Sequence, residues 1–409
     1  MDKQTEFETD LFQAPDVHLN EEALLQAAQE RTGLSDFGGS LYGGSEDDWR
    51  EGFALLLKCL NEEARLNKQG RMIAFHDLLR HLQNRLQVTE DIKTNPEILD
   101  EKIVKPLFIV GLPRTGSTIL HDLLSQDPAN RVPMTWECHL MSPPPEQSSY
   151  ETDPRIAICD AHLEQTSRLF IPGFQAIHEM GAQLAQECVM LNAFDFKSYI
   201  FSNQYYVPTY ERWVENTSLE SQYRTHKCQL QYMQWKNPRE RWVLKSVAHI
   251  WGLDVIHKIY PDAQIIMTHR DPLKLITSHC SLVSMATSMC SDAIKPEEIG
   301  EFWRFSWLDA MKKGVAFRNS DRPEAKRVFD IHFADLVKDQ VAVAQRIYDH
   351  FDLQLSDQVK QRMQQFIDEN PKDRHGTHTY TMEEFGLAEA TERERYRFYQ
   401  DYFNVASNI

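Results

Sequence analysis

Three features of the 409-residue sequence predict an α/β protein with a P-loop-type central parallel sheet flanked by helices and preceded by a helical region. Short apolar runs (Pro106 to Gly111, Trp242 to Leu244, Gln264 to Thr268, Val328 to Phe333) have the length of buried strands, and helical stretches separate them. The first run ends in a glycine-containing turn that opens directly into a helix, the arrangement of an anion cradle. Hydrophobic residues at 42% and charged residues at 26% are those of a folded globular chain.

The elements follow in chain order. Residues 1–100 read as a helical N-terminal region. Asn20 caps a helix whose first turn holds Glu21 and Glu22 and whose apolar stripe is Leu24, Leu25, Ala27 and Ala28. Gly38-Gly39 and Gly43-Gly44 mark a loop, and helical spacing then runs from Trp49 to Leu86. These helices suit packing, or the pairing of two copies into a homo-oligomer, rather than chemistry. A polar stretch from Val88 to Lys105, with Asn95-Pro96, reads as a linker. Residues 104–409 form the α/β domain, interrupted at about 155–235 by a helical insertion rich in aromatics, among them Phe194, Phe196, Tyr199, Phe201, Tyr205, Tyr206, Tyr210 and Trp213.

Charge and composition exclude several classes. With 44 Lys+Arg against 61 Asp+Glu the net charge is −17, which argues against nucleic acid and anionic membrane as partners. The acidic excess is concentrated: residues 1–50 carry 12 acidic and 3 basic side chains, or −9, whereas residues 239–274 carry 6 basic and 4 acidic, or +2. No apolar run approaches the roughly 20 residues of a spanning helix, so this is not read as a membrane protein. The N-terminus MDKQTEFETDLF lacks the basic start and apolar core of a secretion signal. Seven cysteines with no C-x-x-C pair read as reduced thiols in a cytoplasmic protein.

The strongest local signal is Pro113-Arg114-Thr115-Gly116-Ser117-Thr118 after the first strand. Backbone amides at the helix start, a glycine for close approach, two hydroxyls and an Arg fork converge on one phosphate-sized volume. The spacing from Gly111 to Gly116 is that of a nucleotide-triphosphate loop, but Ser117 stands where such loops have the Lys that reaches the β- and γ-phosphates. The second strand end carries His269-Arg270-Asp271-Pro272, in which Asp271 is a candidate Mg²⁺ ligand only for a kinase-like reading.

These residues resemble the 3′-phosphoadenylylsulfate-dependent sulfotransferases. That family has a P-[RK]-[ST]-G-[ST]-[ST] loop for the 5′-phosphosulfate, and an Arg at a later strand end with a Ser eight residues on for the 3′-phosphate. Arg270 and Ser278 fit the second pattern. The resemblance is closest to the large bacterial branch, through Gly111-Leu112-Pro113-Arg114-Thr115-Gly116-Ser117-Thr118, Asp127-Pro128, Trp136-Glu137, Leu244-Lys245-Ser246, Pro261-Asp262-Ala263, Thr268 to Pro272 and Phe385-Gly386-Leu387. It covers roughly residues 15–405, with Val247 departing from the branch's usual Pro.

The resemblance implies sulfuryl transfer from 3′-phosphoadenylylsulfate, as co-substrate and without a metal, to a hydroxyl or amine of a small-molecule or lipid-like acceptor. Pro113 to Thr118 with Arg270 and Ser278 would hold the donor, and a basic loop containing Arg374 and Gly376 would close over its 3′-phosphate. Lys245 would contact the sulfuryl group or the acceptor. Glu137 is the favoured base, because a carboxylate desolvated beside Trp136 has the raised pKa that suits proton abstraction. His178 and His249 compete with it. The aromatic insertion is a candidate acceptor wall. A kinase-like phosphotransferase and a catalytically silent nucleotide-binding protein are the alternative functions.

Overall fold

The computed structural model describes residues 19–45, 48–167, 180–370 and 380–407. Its centre is a five-stranded sheet of β1 (Leu107–Gly111), β2 (Asn130–Arg131), β3 (Arg241–Lys245), β4 (Gln264–His269) and β5 (Phe329–His332), in the order β2-β3-β1-β4-β5. Every pairing is parallel. All five β1 residues are buried, as a strand covered by helices on both faces requires. The four apolar runs are therefore strands. The two-residue β2 at the edge has no apolar run to announce it.

From β1 the chain builds β2 and β3 on one side and β4 and β5 on the other. The strand order thus reverses at β1, and the crevice at the carboxyl ends of β1, β3 and β4 is the expected ligand position. The helix Ser117–Leu124 starts at that crevice and buries Leu120, Leu123 and Leu124 against β1 and β3.

The N-terminal helices are not separated from the sheet by solvent. Helices Glu21–Thr32, Asp48–Glu62 and Lys68–Thr94 share one apolar core with the aromatic insertion and one face of the sheet. Asn20 does cap the first helix, accepting from Ala23 N at 3.1 Å. The stretch expected as a linker from Val88 is helical to Thr94, because Val88, Thr89 and Ile92 are buried. The core is knitted there by Arg85, which is 1% exposed. It donates to the carbonyls of Phe37 (2.8 Å) and Phe194 (3.0 Å) and lies over the rings of Tyr42, Trp49 and Phe194.

That packing corrects the reading of the insertion as an acceptor wall. Phe194, Phe196, Phe201, Tyr205 and Tyr210 all belong to the buried core. Phe196 lies against Trp49, Phe53 and Phe201. Apolar rings at helical spacing go to the largest apolar surface available, which the N-terminal helices provide.

Candidate active site

The turn after β1 is shaped by its glycines and by Thr115. A Cβ on Gly111 would lie 2.3 Å from Thr268 Oγ1, so only glycine lets β1 and β4 end side by side. Gly116 has φ +85°, and a Cβ there would meet Leu336 at 3.0 Å and Phe333 at 3.1 Å. The Thr115 hydroxyl donates to Leu112 O (2.7 Å) and contacts Thr268 Oγ1 (2.6 Å). Thr115 and Pro113 are both buried, so their side chains brace the loop; Ser117 is buried as well, and Arg114 and Thr118 are the exposed polar side chains of the turn. Arg114 adopts φ 63° and is exposed.

Arg270 follows β4 and leans back over this turn. Its Nη1 donates to Arg114 O at 2.9 Å, and its guanidinium stacks on Phe333 at 4.0 Å from the ring centre. Two arginines separated by 156 positions are thereby brought to one crevice. Ser278 lies in the helix Pro272–Ser288 that leaves the same strand end. Asp271 is fully buried, caps that helix through Leu273 N (3.0 Å) and accepts from Arg393 (2.7 Å).

At the end of β3, Lys245 is 3% exposed, and its Nζ donates to Thr118 Oγ1 at 2.9 Å and to the Glu187 carboxylate. Glu187 is a carboxylate beside Lys245 that sequence reasoning did not single out. It occupies the N-cap position of the short helix Cys188–Asn192, yet makes no side-chain cap hydrogen bond and is directed to Lys245 instead. It is carried there by pairing of its segment with the one after β2, through Thr135 N to Leu184 O and Gln186 N to Pro133 O. No motif announced it. Burial and the Lys245 charge push the His121 imidazole on the loop helix down to about 4, leaving a neutral ring whose Nε2 donates to Val243 O (3.1 Å).

Glu137 is in a different environment. It is 1% exposed and accepts from Arg131 at 2.7 and 3.3 Å, from the Tyr150 hydroxyl at 3.0 Å and from Met134 N at 2.9 Å. Arg131 in turn stacks on Trp242, three residues or roughly 10 Å along β3 from Lys245. Glu137, the base expected from the sequence, is thus engaged by the chain's own donors. It closes a buried ion pair and a helix start. His249 is fully buried against Phe108, on the face of the sheet rather than at its end, with Nδ1 bonded to the Tyr223 hydroxyl at 2.7 Å. Burial first, then His226, holds its pKa well below the usual value. His178, Arg374 and Gly376 lie outside the described residues.

Tyr199 of the insertion also belongs to the buried core. The Tyr199 hydroxyl contacts His279 Nε2 at 2.9 Å beside Trp303 and Trp307. Burial, with the Arg114 charge as a lesser cause, lowers His279 to about 3, and Glu187 is among the charges that raise Tyr199. The pair thus lies within electrostatic reach of both sides of the site.

A glycine-shaped turn carrying Arg114, with Arg270 leaning over it and a lysine at the adjacent strand end, is the arrangement of a phosphate-binding α/β protein. The comparisons name the family. A family model described as the sulfotransferase family matches residues 106–357, and the chain belongs to that family. Sulfotransferase STF1 from Mycobacterium tuberculosis H37Rv is 30% identical with a TM-score of 0.81, covering 93% of this chain and 99% of that structure. Sulfotransferase STF9 from Mycobacterium avium is 28% identical with a TM-score of 0.85, covering 96% and 99%. Among curated proteins, the omega-hydroxy-beta-dihydromenaquinone-9 sulfotransferase Stf3 of Mycobacterium bovis is 21% identical over 302 residues, 69% of this chain and 72% of the relative. The protein is an enzyme of sulfuryl transfer. Among the described residues, no helix is long and apolar enough to cross a membrane.

Proposed function

We propose that the donor is 3′-phosphoadenylylsulfate, that the acceptor is a hydroxyl on a lipid-like molecule, and that Glu187 is the base. The observation that carries this reading is the contact chain Thr118–Lys245–Glu187 beside the Arg114 loop. It sets a hydroxyl, a cation and a carboxylate side by side where the strands end.

The residues present suit such a donor. The amides of the turn and Arg114 match a 5′-phosphosulfate, and Arg270 with Ser278 offers a separate handle for a 3′-phosphate. In the reaction the acceptor oxygen forms a bond to sulfur as the bond from sulfur to the bridging phosphate oxygen breaks. The acceptor proton passes to the Glu187 carboxylate, and the electron pair leaves with adenosine 3′,5′-bisphosphate. Lys245 neutralises charge on the sulfuryl and bridging oxygens, which are richest in charge at the transition state. The neutral His121 beneath it adds no competing charge.

Two points support a lipid-like acceptor. Ile119, the residue after Thr118, is 42% exposed, an apolar side chain presented at the same helix start. The curated relative is named for an omega-hydroxyl on a dihydromenaquinone. The seven cysteines, all free thiols and all but Cys228 buried, suit the cytoplasm. Labelled donor offered with long-chain alcohols, hydroxyl-terminated isoprenoid quinols, phenols and sugars tests the acceptor class. Label should enter the lipid-extractable alcohols; label confined to sugars would contradict the reading.

A further inference from the structure

We propose that Arg393 and Tyr399, both on the C-terminal helix Glu389–Phe403, are positioning residues that hold Arg270 in register for the donor's 3′-phosphate. This rests on the reading of Arg270 as the 3′-phosphate ligand. Successive residues of an extended segment point to opposite sides, so at the end of β4 Arg270 turns to the loop while His269 and Asp271 turn inward. Each of those two neighbours is tied to the same helix. Asp271 accepts from Arg393 Nη1 at 2.7 Å, and that nitrogen also donates to Gln400 Oε1 at 3.2 Å. His269 contacts the Tyr399 hydroxyl through Nδ1 at 2.7 Å and Asp330 through Nε2 at 2.9 Å, and its ring stacks on Phe403 with centroids 4.1 Å apart.

The proton positions follow from chemistry. The Asp330 carboxylate only accepts, so Nε2–H is the donor and Nδ1 accepts from Tyr399. Arg318 neutralises Asp330 from the other side at 2.8 Å. Both flanks of Arg270 are thus held by directional bonds, charge-assisted at Asp271–Arg393 and His269–Asp330 and neutral at Tyr399–His269, which fix angle as well as distance. Asp271 also caps the helix carrying Ser278, so the tie to Arg393 orients both proposed 3′-phosphate contacts. Nothing on the helix Glu389–Phe403 touches the loop of Arg114 through these bonds. Its action on the site runs through residues 269 and 271.

Isothermal calorimetry with adenosine 3′,5′-bisphosphate and adenosine 5′-phosphate tests this. Arg393→Gln and Tyr399→Phe should each weaken the bisphosphate by about fivefold or more and leave the monophosphate within about twofold. Donor KM should rise with kcat at saturation unchanged. In an Arg270→Ala background the same substitutions should cause no further loss of discrimination, since they act through Arg270. Equal loss for both nucleotides, or additive loss without Arg270, would overturn the proposal; Tyr399→Phe keeps the test open if Arg393→Gln does not fold. Wild-type protein that binds the two nucleotides equally would instead overturn the donor reading itself.

Discussion

Glu187 and Glu137 are two carboxylates of one chain with different partners. Glu187 faces Lys245 at the open ends of the strands and is 24% exposed, so an acceptor can reach it. Glu187→Gln should lower kcat about 10²–10⁴-fold, the range for loss of a general base, with little change in Tm. Glu137 faces the Arg131 guanidinium, itself 3% exposed. Removing the carboxylate leaves that cation buried without its counter-charge, which costs about 3–5 kcal/mol. Glu137→Ala should therefore lower Tm clearly in a thermal melt. If it instead leaves Tm untouched and abolishes turnover, the assignments are reversed. The sequence pointed to Glu137 because a carboxylate desolvated beside Trp136 would suit proton abstraction. In the fold, the same carboxylate at the third position of the helix Thr135–His139 bonds back to Met134 N, half of a capping box. Glu187 had no such local mark, because its role depends on a contact with a residue 58 positions away.

The elements that could be read from sequence are those whose signal is local. The loop from Gly111 to Thr118 was legible because strand, turn glycine and helix start follow one another without interruption. The same holds for the arginine at the end of β4. The insertion was not legible: its aromatics carry helical periodicity, and periodicity does not say which surface a ring will cover. The short helices Tyr199–Gln204 and Pro208–Asn216 place Glu211 inside this packing, where it accepts from Ser202 Oγ at 2.6 Å. Burial first, then the neighbouring Glu215, raises Glu211 to about 8. A carboxyl whose pKa is higher folded than unfolded binds more protons in the folded state between those values. Its stabilisation is complete below the unfolded value of 4.5 and is lost as pH rises through about 8. Tm should fall between pH 5 and 8, and Glu211→Gln should flatten that slope. A slope unchanged in the variant would remove Glu211 as its origin.

At the scale of the whole molecule, charge and core are distributed by function. The acidic excess is concentrated in the first 50 residues of the sequence, whereas Arg114, Lys245 and Arg270 furnish the crevice, so a net charge of −17 is compatible with a polyanionic donor. Other residues of the motif set tie elements of the frame to one another. Asp127 accepts from the Tyr348 hydroxyl at 2.6 Å, Asp262 from Lys105 N at 2.7 Å, and Gly300 lets a helix pass close to Phe385 O, where a Cβ would come within 2.0 Å. The proposed donor site has Arg114 in the loop and Arg270 at the end of β4, with Ser117 where a γ-phosphate loop has its lysine. The direct test is the Tm of the purified chain with adenosine 3′,5′-bisphosphate and, separately, with ATP and Mg²⁺. The bisphosphate should raise Tm, a ligand at a hundred times its dissociation constant adding about 2.7 kcal/mol, and Mg-ATP should leave it unchanged. A shift with Mg-ATP and none with the bisphosphate would contradict the account.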